Sequence, residues 1–99
     1  MIIYFIDGTT ITTQEAADLV EKENKLGCNN FIDKEGLRCV FGVIGDWSLF
    51  TPDAHGKMAR KKSIRALEHY KVSVQNNDTF VGTPEERCQE FVKRLRAIP

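Results

Sequence analysis

Three cysteines, two histidines and a run of cations are the residues of this chain with chemistry to offer. Cys39 opens its longest apolar run, Cys39-Val40-Phe41-Gly42-Val43-Ile44. A cysteine at a helix N-terminus can have a lowered pKa and act as a nucleophile. His55 and His69 are the available bases, and Asn76, Asn77 or Asp78 the available orienting groups. Free cysteine is also among the most buried residue types, and no local motif sets a histidine beside Cys39, so a core thiol is the simpler reading. A cysteine-dependent enzyme built on Cys39 is the third functional reading, since a triad depends on geometry that spacing does not supply.

The cations gather between residues 57 and 71, where Lys57, Arg60, Lys61, Lys62, Arg65 and Lys71 meet one acid, Glu68. Over the whole chain 14 basic residues balance 14 acidic ones, which excludes the global field of a nucleic-acid packager or a membrane-surface protein. Met58, Ile64, Leu67 and Tyr70 recur at helical spacing, so the segment predicts an amphipathic helix with Lys57, Arg60, Lys61, Lys62 and Arg65 on its outer face. Such a face docks on an acidic protein surface, or neutralises the phosphates of a nucleic acid or nucleotide. Its plain alternative is a solvated helix face. No aromatic side chain is interleaved for base stacking, because Tyr70 falls in the apolar stripe.

Other candidate motifs are weaker. Gly42-Val43-Ile44-Gly45 has the G-x-x-G form of a nucleic-acid backbone clamp, but its apolar middle and uncharged surroundings favour close helix packing. Asp33, Glu35, Asp46 and Asp53 do not follow calcium-loop spacing and read as turn and cap residues, so neither metal nor cofactor is expected. Cys28, Cys39 and Cys88 form an odd set with no C-x-x-C pair, which reads as reduced thiols in a cytoplasm. The opening MIIYFIDG lacks a basic flank and reaches Asp7 too soon for a signal peptide or an anchor, so no membrane partner is expected.

The elements that would position these residues follow from local pattern. With 28% charged and 41% apolar residues in 99, the chain is expected to be one domain, 1–99, large enough to bury a single core. Residues 2–6 are β-branched and aromatic, and Asp7-Gly8 predicts a two-residue turn returning through residues 9–12 as a second strand. Thr12-Thr13-Gln14-Glu15 is a capping box. The helix it opens is predicted over residues 13–26, with Ala16, Leu19 and Val20 inward and Gly27 as its left-handed stop. Phe31-Ile32 reads as a short strand and Asp33-Lys34-Glu35-Gly36 as a turn. Residues 36–50, which include Trp47, are read as the buried centre, and 51–56 as a loop. Val72-Ser73-Val74 reads as a short strand and Asn76-Asn77-Asp78 as a turn. Thr83, Pro84 and Glu86 open a final helix with Cys88, Phe91, Val92 and Leu95 inward and Arg87, Lys93 and Arg94 largely on the other side.

Two resemblances bear on function. Residues 12–20, TTQEAADLV, resemble the opening helix of excisionase-type winged helix-turn-helix proteins, but Gly27-Cys28-Asn29-Asn30 follows where a recognition helix would be needed. Gly36-Leu37-Arg38-Cys39-Val40-Phe41-Gly42-Val43-Ile44, with Asn77-Asp78 and Thr83-Pro84-Glu85-Glu86, is similar to a G-x-x-C-A-x-G-A-L family of small uncharacterised bacterial and phage proteins. The family more often has alanine where this chain has Val40 and Val43. The resemblance implies a helix at 40–44 and a small bacterial or phage accessory protein, and it transfers no catalytic residue.

The expected fold is therefore α+β, an N-terminal β-hairpin with three to four helices around a central apolar segment. The leading functional expectation is a non-enzymatic interaction protein, such as a phage-encoded inhibitor or regulator, binding a host protein through the basic helix. Nucleic-acid or phosphate-ligand binding through the same helix is the alternative, and a homo-oligomer seamed along the central run stays open.

Overall fold

In the computed structural model, which describes residues 1–30, 32–45 and 58–99, the N-terminal run folds back on itself as a hairpin. β1 (Ile2–Tyr4) pairs antiparallel with β2 (Thr10–Thr12), with Ile3 opposite Ile11. The turn differs from the two-residue expectation. Phe5 N–H still reaches the Thr9 carbonyl (3.0 Å), so Ile6-Asp7-Gly8 form a three-residue loop. Gly8, at φ 90°, donates to the Phe5 carbonyl (3.1 Å), and Asp7 Oδ1 accepts from Thr9 N–H (2.9 Å) and its hydroxyl (2.6 Å). A tight turn followed by a left-handed glycine is the ordinary three-residue hairpin.

Helix α1 (Thr13–Glu23) opens on the predicted box: Thr12 Oγ1 accepts from Glu15 N–H, and Glu15 Oε1 from Thr12 N–H, both at 3.1 Å. It stops earlier than expected, because Asn24 adopts the left-handed conformation (φ 71°) in the role assigned to Gly27. Gly27 is required for a different reason. A Cβ there would lie 2.6 Å from Asp33 Oδ2 and 3.0 Å from the Leu37 carbonyl oxygen, so only glycine lets the chain pass the 33–37 turn. That turn is as predicted: Asp33 Oδ1 accepts from Glu35 and Leu37 N–H, and Ile32 bridges Arg38. No helix follows α1 within the next few residues, so the recognition element of a winged helix-turn-helix is absent from 24–30 and 32–38.

The apolar run forms a short helix, α2 (Val40–Ile44), with Val40, Gly42, Val43 and Ile44 buried. Helix α3 (Lys61–Glu68) begins later than expected. The preceding 58–60 are extended, with Ala59 bridged to Phe5, and Arg60 is the N-cap position. Tyr70, assigned to the apolar stripe, lies beyond the helix and is partly exposed. Residues 74–79, read as strand end and turn, form α4 (Val74–Thr79), capped by Ser73. α5 (Pro84–Arg96) matches its predicted start, box and proline included. Two strands and five helices among the described residues thus give the expected α+β arrangement, α4 being the additional helix.

One core holds these elements together. α1 contributes Ala16, Ala17 and Val20, α5 contributes Cys88, Phe91 and Leu95, and Ile3, Phe5, Val40, Val43 and Leu67 close around them. Ala17 takes the inward place expected of Leu19, which is partly exposed. Arg87 is a second reversal. Rather than lying outside, it is buried, donating from Nε to the Asn77 carbonyl (3.2 Å) and from Nη1 to the Leu26 carbonyl (2.8 Å), with Phe80 beneath its guanidinium. Asn77, wholly buried, accepts from Val40 N–H (3.1 Å) and donates to the Gly27 carbonyl (2.9 Å).

Asn77→Ala therefore strands a buried N–H and a buried carbonyl, each worth about 1–3 kcal/mol. Urea unfolding should show a loss of roughly 2–5 kcal/mol, well above the ~1 kcal/mol expected for Thr83→Ala at the α5 cap. Equal losses would mean that Asn77 does not organise the core.

Candidate functional site

Alternation along β1 sends Ile3 and Phe5 into the core and Ile2, Tyr4 and Ile6 to the other side. These outward residues are 48%, 51% and 52% exposed, so the solvent face of the hairpin is apolar where a half-buried sheet ordinarily turns polar. The face is wider than the hairpin. Ile6 N–H donates to the Met58 carbonyl (2.9 Å) and Arg60 N–H to the Tyr4 carbonyl (2.7 Å), so 58–60 run antiparallel along the free edge of β1. Ala59 turns inward beside Phe5, and Met58 and Arg60 accordingly stand on the outer face beside Ile6 and Tyr4. Thr10 and Thr12 flank Tyr4 and Ile2 from β2.

Arg60 is fixed on this face. Phe5 turns its N–H and carbonyl toward β2, bonding Thr9 and Gly8 there. Arg60 lies across β1 from that side, yet its Nε donates to the same Phe5 carbonyl (3.2 Å), so its side chain spans β1 on the outer face. Both terminal guanidinium nitrogens are left without a hydrogen bond or ion pair to any described residue. Next to it, Ser63 Oγ accepts the Tyr4 N–H (2.9 Å) and anchors the first turn of α3 against the edge of β1. Lys61, Lys62 and Arg65 on that helix are exposed and form no ion pair with a described residue. Several arginines elsewhere differ: Arg38 pairs with Glu23 (2.7 Å), Arg94 with Glu90 (3.1 Å), and Arg96 with Asp18 (3.1 Å) and Glu21 (3.3 Å).

Of the five cations singled out in the sequence, the structure sets Arg60 on the outer face itself, Lys61 and Lys62 next to it in the first turn of α3, and Arg65 a turn further along. Lys57 lies outside the described residues, as do Phe31, Asp46, Trp47, Asp53, His55 and the 51–56 segment read as a loop. Arg60, expected on the outer face of a helix, is exposed but sits on the extended 58–60 segment and is tied to β1 through the Phe5 carbonyl. The apolar residues Ile2, Tyr4, Ile6 and Met58 were not identified as a site from the sequence. Their signal was present, since residues 2–6 are apolar without alternation and a hairpin covered on one face should alternate.

The thiol candidate occupies a different place. Cys39 is the N-cap of α2, its Sγ accepting from Gly42 N–H (3.4 Å), beside a cleft of about 220 Å³ lined by Asn29, Asn30, Cys39, Val74 and Asp78. Burial, reinforced by the Asp78 carboxylate, pushes the Cys39 thiol up from its ordinary value, against the backbone N–H groups that favour a thiolate. Asp78 Oδ1 is already engaged by Asn29 N–H (2.7 Å). The one described histidine, His69, lines a separate depression with Arg65, Glu68 and Lys71, so the structure does not bring a described base to Cys39. Gly42 lies inside α2, so the G-x-x-G sequence is not an open clamp. Among the described residues, no three His, Cys, Asp or Glu side chains are grouped to hold a metal ion. No helix among them is long and apolar enough to cross a membrane.

No family model, curated protein or solved structure matches the chain.

A raised thiol pKa makes ionisation unfavourable to the fold. The stability contributed is fully present below the ordinary thiol range, about 8.5, and is lost as the pH rises through and above it. Peptide mapping after iodoacetamide treatment should find native Cys39 nearly unlabelled at neutral pH, with labelling climbing only in alkaline solution. Rapid labelling at neutral pH would instead identify a thiolate and restore the nucleophile reading.

Proposed function

We propose that this chain is a small non-enzymatic interaction protein whose binding surface is the outer face of the hairpin together with the cations at the start of α3. The observation that carries the reading is Arg60, tied to the Phe5 carbonyl with both terminal nitrogens unpaired among the described residues, beside the half-exposed Ile2, Tyr4, Ile6 and Met58. Protein interfaces are built this way, with aromatic, Met and Arg side chains at the centre and charge at the rim. The basic helix alone, the expectation from sequence, supplies only the rim. Its neighbouring sheet supplies area that can be desolvated.

The partner is a protein, and the chain acts as an inhibitor or regulator; its resemblance to small bacterial and phage proteins implies an accessory role and carries over no activity. Three free cysteines, two of them buried, suit a reducing cytoplasm. A second reading, single-stranded nucleic acid, is favoured by one observation: Tyr4 stands beside Arg60 on an open sheet face, an arrangement on which a base can stack.

Affinity capture from the source cells, with and without nuclease, tests the reading when run beside Ile6→Glu and Tyr4→Ala. Both substitutions are on the solvent side, so the unfolding midpoint should hold. A nuclease-resistant protein should be retained by the parent chain and lost at least tenfold from Ile6→Glu. Capture that survives both substitutions would remove the outer face from the account, and recovery of nuclease-sensitive material alone would move the second reading to first.

A further inference from the structure

Resting on that reading, we infer that the partner docks an acidic, amphipathic segment, with one carboxylate seated on the Arg60 guanidinium and apolar side chains laid over Ile2, Tyr4, Ile6 and Met58. The chemistry follows from what the face lacks. Arg60 is exposed, its two terminal nitrogens have no acceptor among the described residues, and a planar fork of this kind matches a carboxylate in bidentate fashion. The Nε bond to Phe5 already holds the side chain, so less rotamer entropy is lost when the carboxylate arrives. Lys61 and Lys62, unpaired among the described residues, extend the same sign of charge along one margin.

Three occupants compete for such a face, and charge and shape separate them. A second copy would bring the same face, on which Ile2, Tyr4, Ile6, Met58, Thr10 and Thr12 offer no carboxylate to the Arg60 fork, and it would double the positive charge within one interface. A single-stranded nucleic acid would find phosphate-binding cations but one aromatic side chain, whereas stacking platforms offer one per successive base. Ile2, Ile6 and Met58 give no stacking surface, yet they bury well under leucine-like side chains of a protein. An acidic amphipathic segment satisfies the fork, the cations and the aliphatic surface together.

The test is an amide-shift titration of the full chain with defined probes: a blocked synthetic peptide carrying glutamates among leucines, its glutamine counterpart, and a short oligothymidine. The glutamate peptide should perturb Tyr4, Ile6 and Arg60 saturably and bind about tenfold more tightly than the glutamine peptide, as a charge-assisted bidentate pair would require. Arg60→Gln should remove that tenfold preference, and Arg60→Lys, which keeps the charge but not the fork, should remove most of it. In Arg60→Gln the amide Nε2 falls where the Arg60 Nε stands and still donates to the Phe5 carbonyl, which guards against loss of that bond unfolding the chain, and unfolding midpoints are read for both variants. Unchanged peptide affinity in Arg60→Gln, no preference for glutamate over glutamine, or oligothymidine binding at the face where neither peptide binds would each overturn the inference. If the glutamate peptide fails while Ile6→Glu still abolishes capture of the cellular partner, the acidic occupant falls and the interaction face stands. If Ile6→Glu leaves that capture intact, the face itself falls.

Discussion

The fold depends on a polar junction inside a largely apolar core, the pair Asn77 and Arg87. Three segments without regular pairing meet there: the chain leaving α1 at Leu26-Gly27, the start of α2 at Val40, and the end of α4. Each brings a backbone group that a ladder would normally satisfy, and each such group left buried and unpaired costs about 1–3 kcal/mol. The Asn77 amide answers one N–H and one carbonyl at once, and the Arg87 guanidinium answers two more carbonyls. The charge of Arg87 is offset by these carbonyl dipoles and by the Phe80 ring, 5.9 Å away, rather than by an acid pair within the core. Hydrophobic contact brings α1 and α5 together, but hydrogen-bond geometry fixes where α2 and α4 sit against them.

That fixed interior is what makes the outer face of the hairpin a usable surface. β1 lies between β2 and 58–60, and the Ser63 hydroxyl takes the Tyr4 N–H on the second edge. Ile3 and Phe5 are clamped beneath by the α1 and α5 core. Tyr4 therefore projects from a backbone held on both sides, and Arg60 is held by its own side-chain bond to that backbone. A two-stranded hairpin alone would be marginal in water. Here the strand beneath the face is buried on one side and bordered on both edges, so partner binding has little backbone left to order.

Local chemistry was legible in the sequence and long-range polar chemistry was not. Both capping boxes, the proline at the start of α5 and the Asp33 turn depend on residues within four positions of one another, and each formed as read. The helix at 40–44 was reached through a resemblance and stands as helix. Asn77 and Arg87 were misplaced for one shared reason: patterning sends polar residues to the surface, and their partners lie 37, 50 and 61 residues away. Asn76-Asn77-Asp78 has turn composition, and only the Ser73 cap with the tertiary bonds of Asn77 makes it helical. For the candidate site, the cations were legible as a cluster, but the sheet beside them was not. Pairing of 58–60 with β1 spans more than fifty residues, and no sequence period reports it.

Charge balance carries the last step. The chain is neutral overall, which excludes steering by a global field, but neutrality says nothing about where charge is spent. Glu23, Glu85 and Glu90 are each paired with a cation, and Asp18 and Glu21 share Arg96. Apart from Glu90–Arg94, which lies within α5, these pairs bind α1 and α5 to each other or to nearby segments, while Lys61, Lys62 and Arg65 are exposed and unpaired among the described residues. Unpaired cations thus follow one another in the chain at Arg60, Lys61 and Lys62, beside the apolar face, while Lys22, Lys34, Lys71 and Lys93 stand apart from one another in the chain. At physiological ionic strength the potential of that run decays over about 8 Å, roughly the thickness of one layer of side chains. Such a run does little to draw a partner from a distance and acts once the apolar face is already in contact. Its effect falls on which partner stays bound, and Arg60, the cation inside the apolar patch, makes that selection with the least screening.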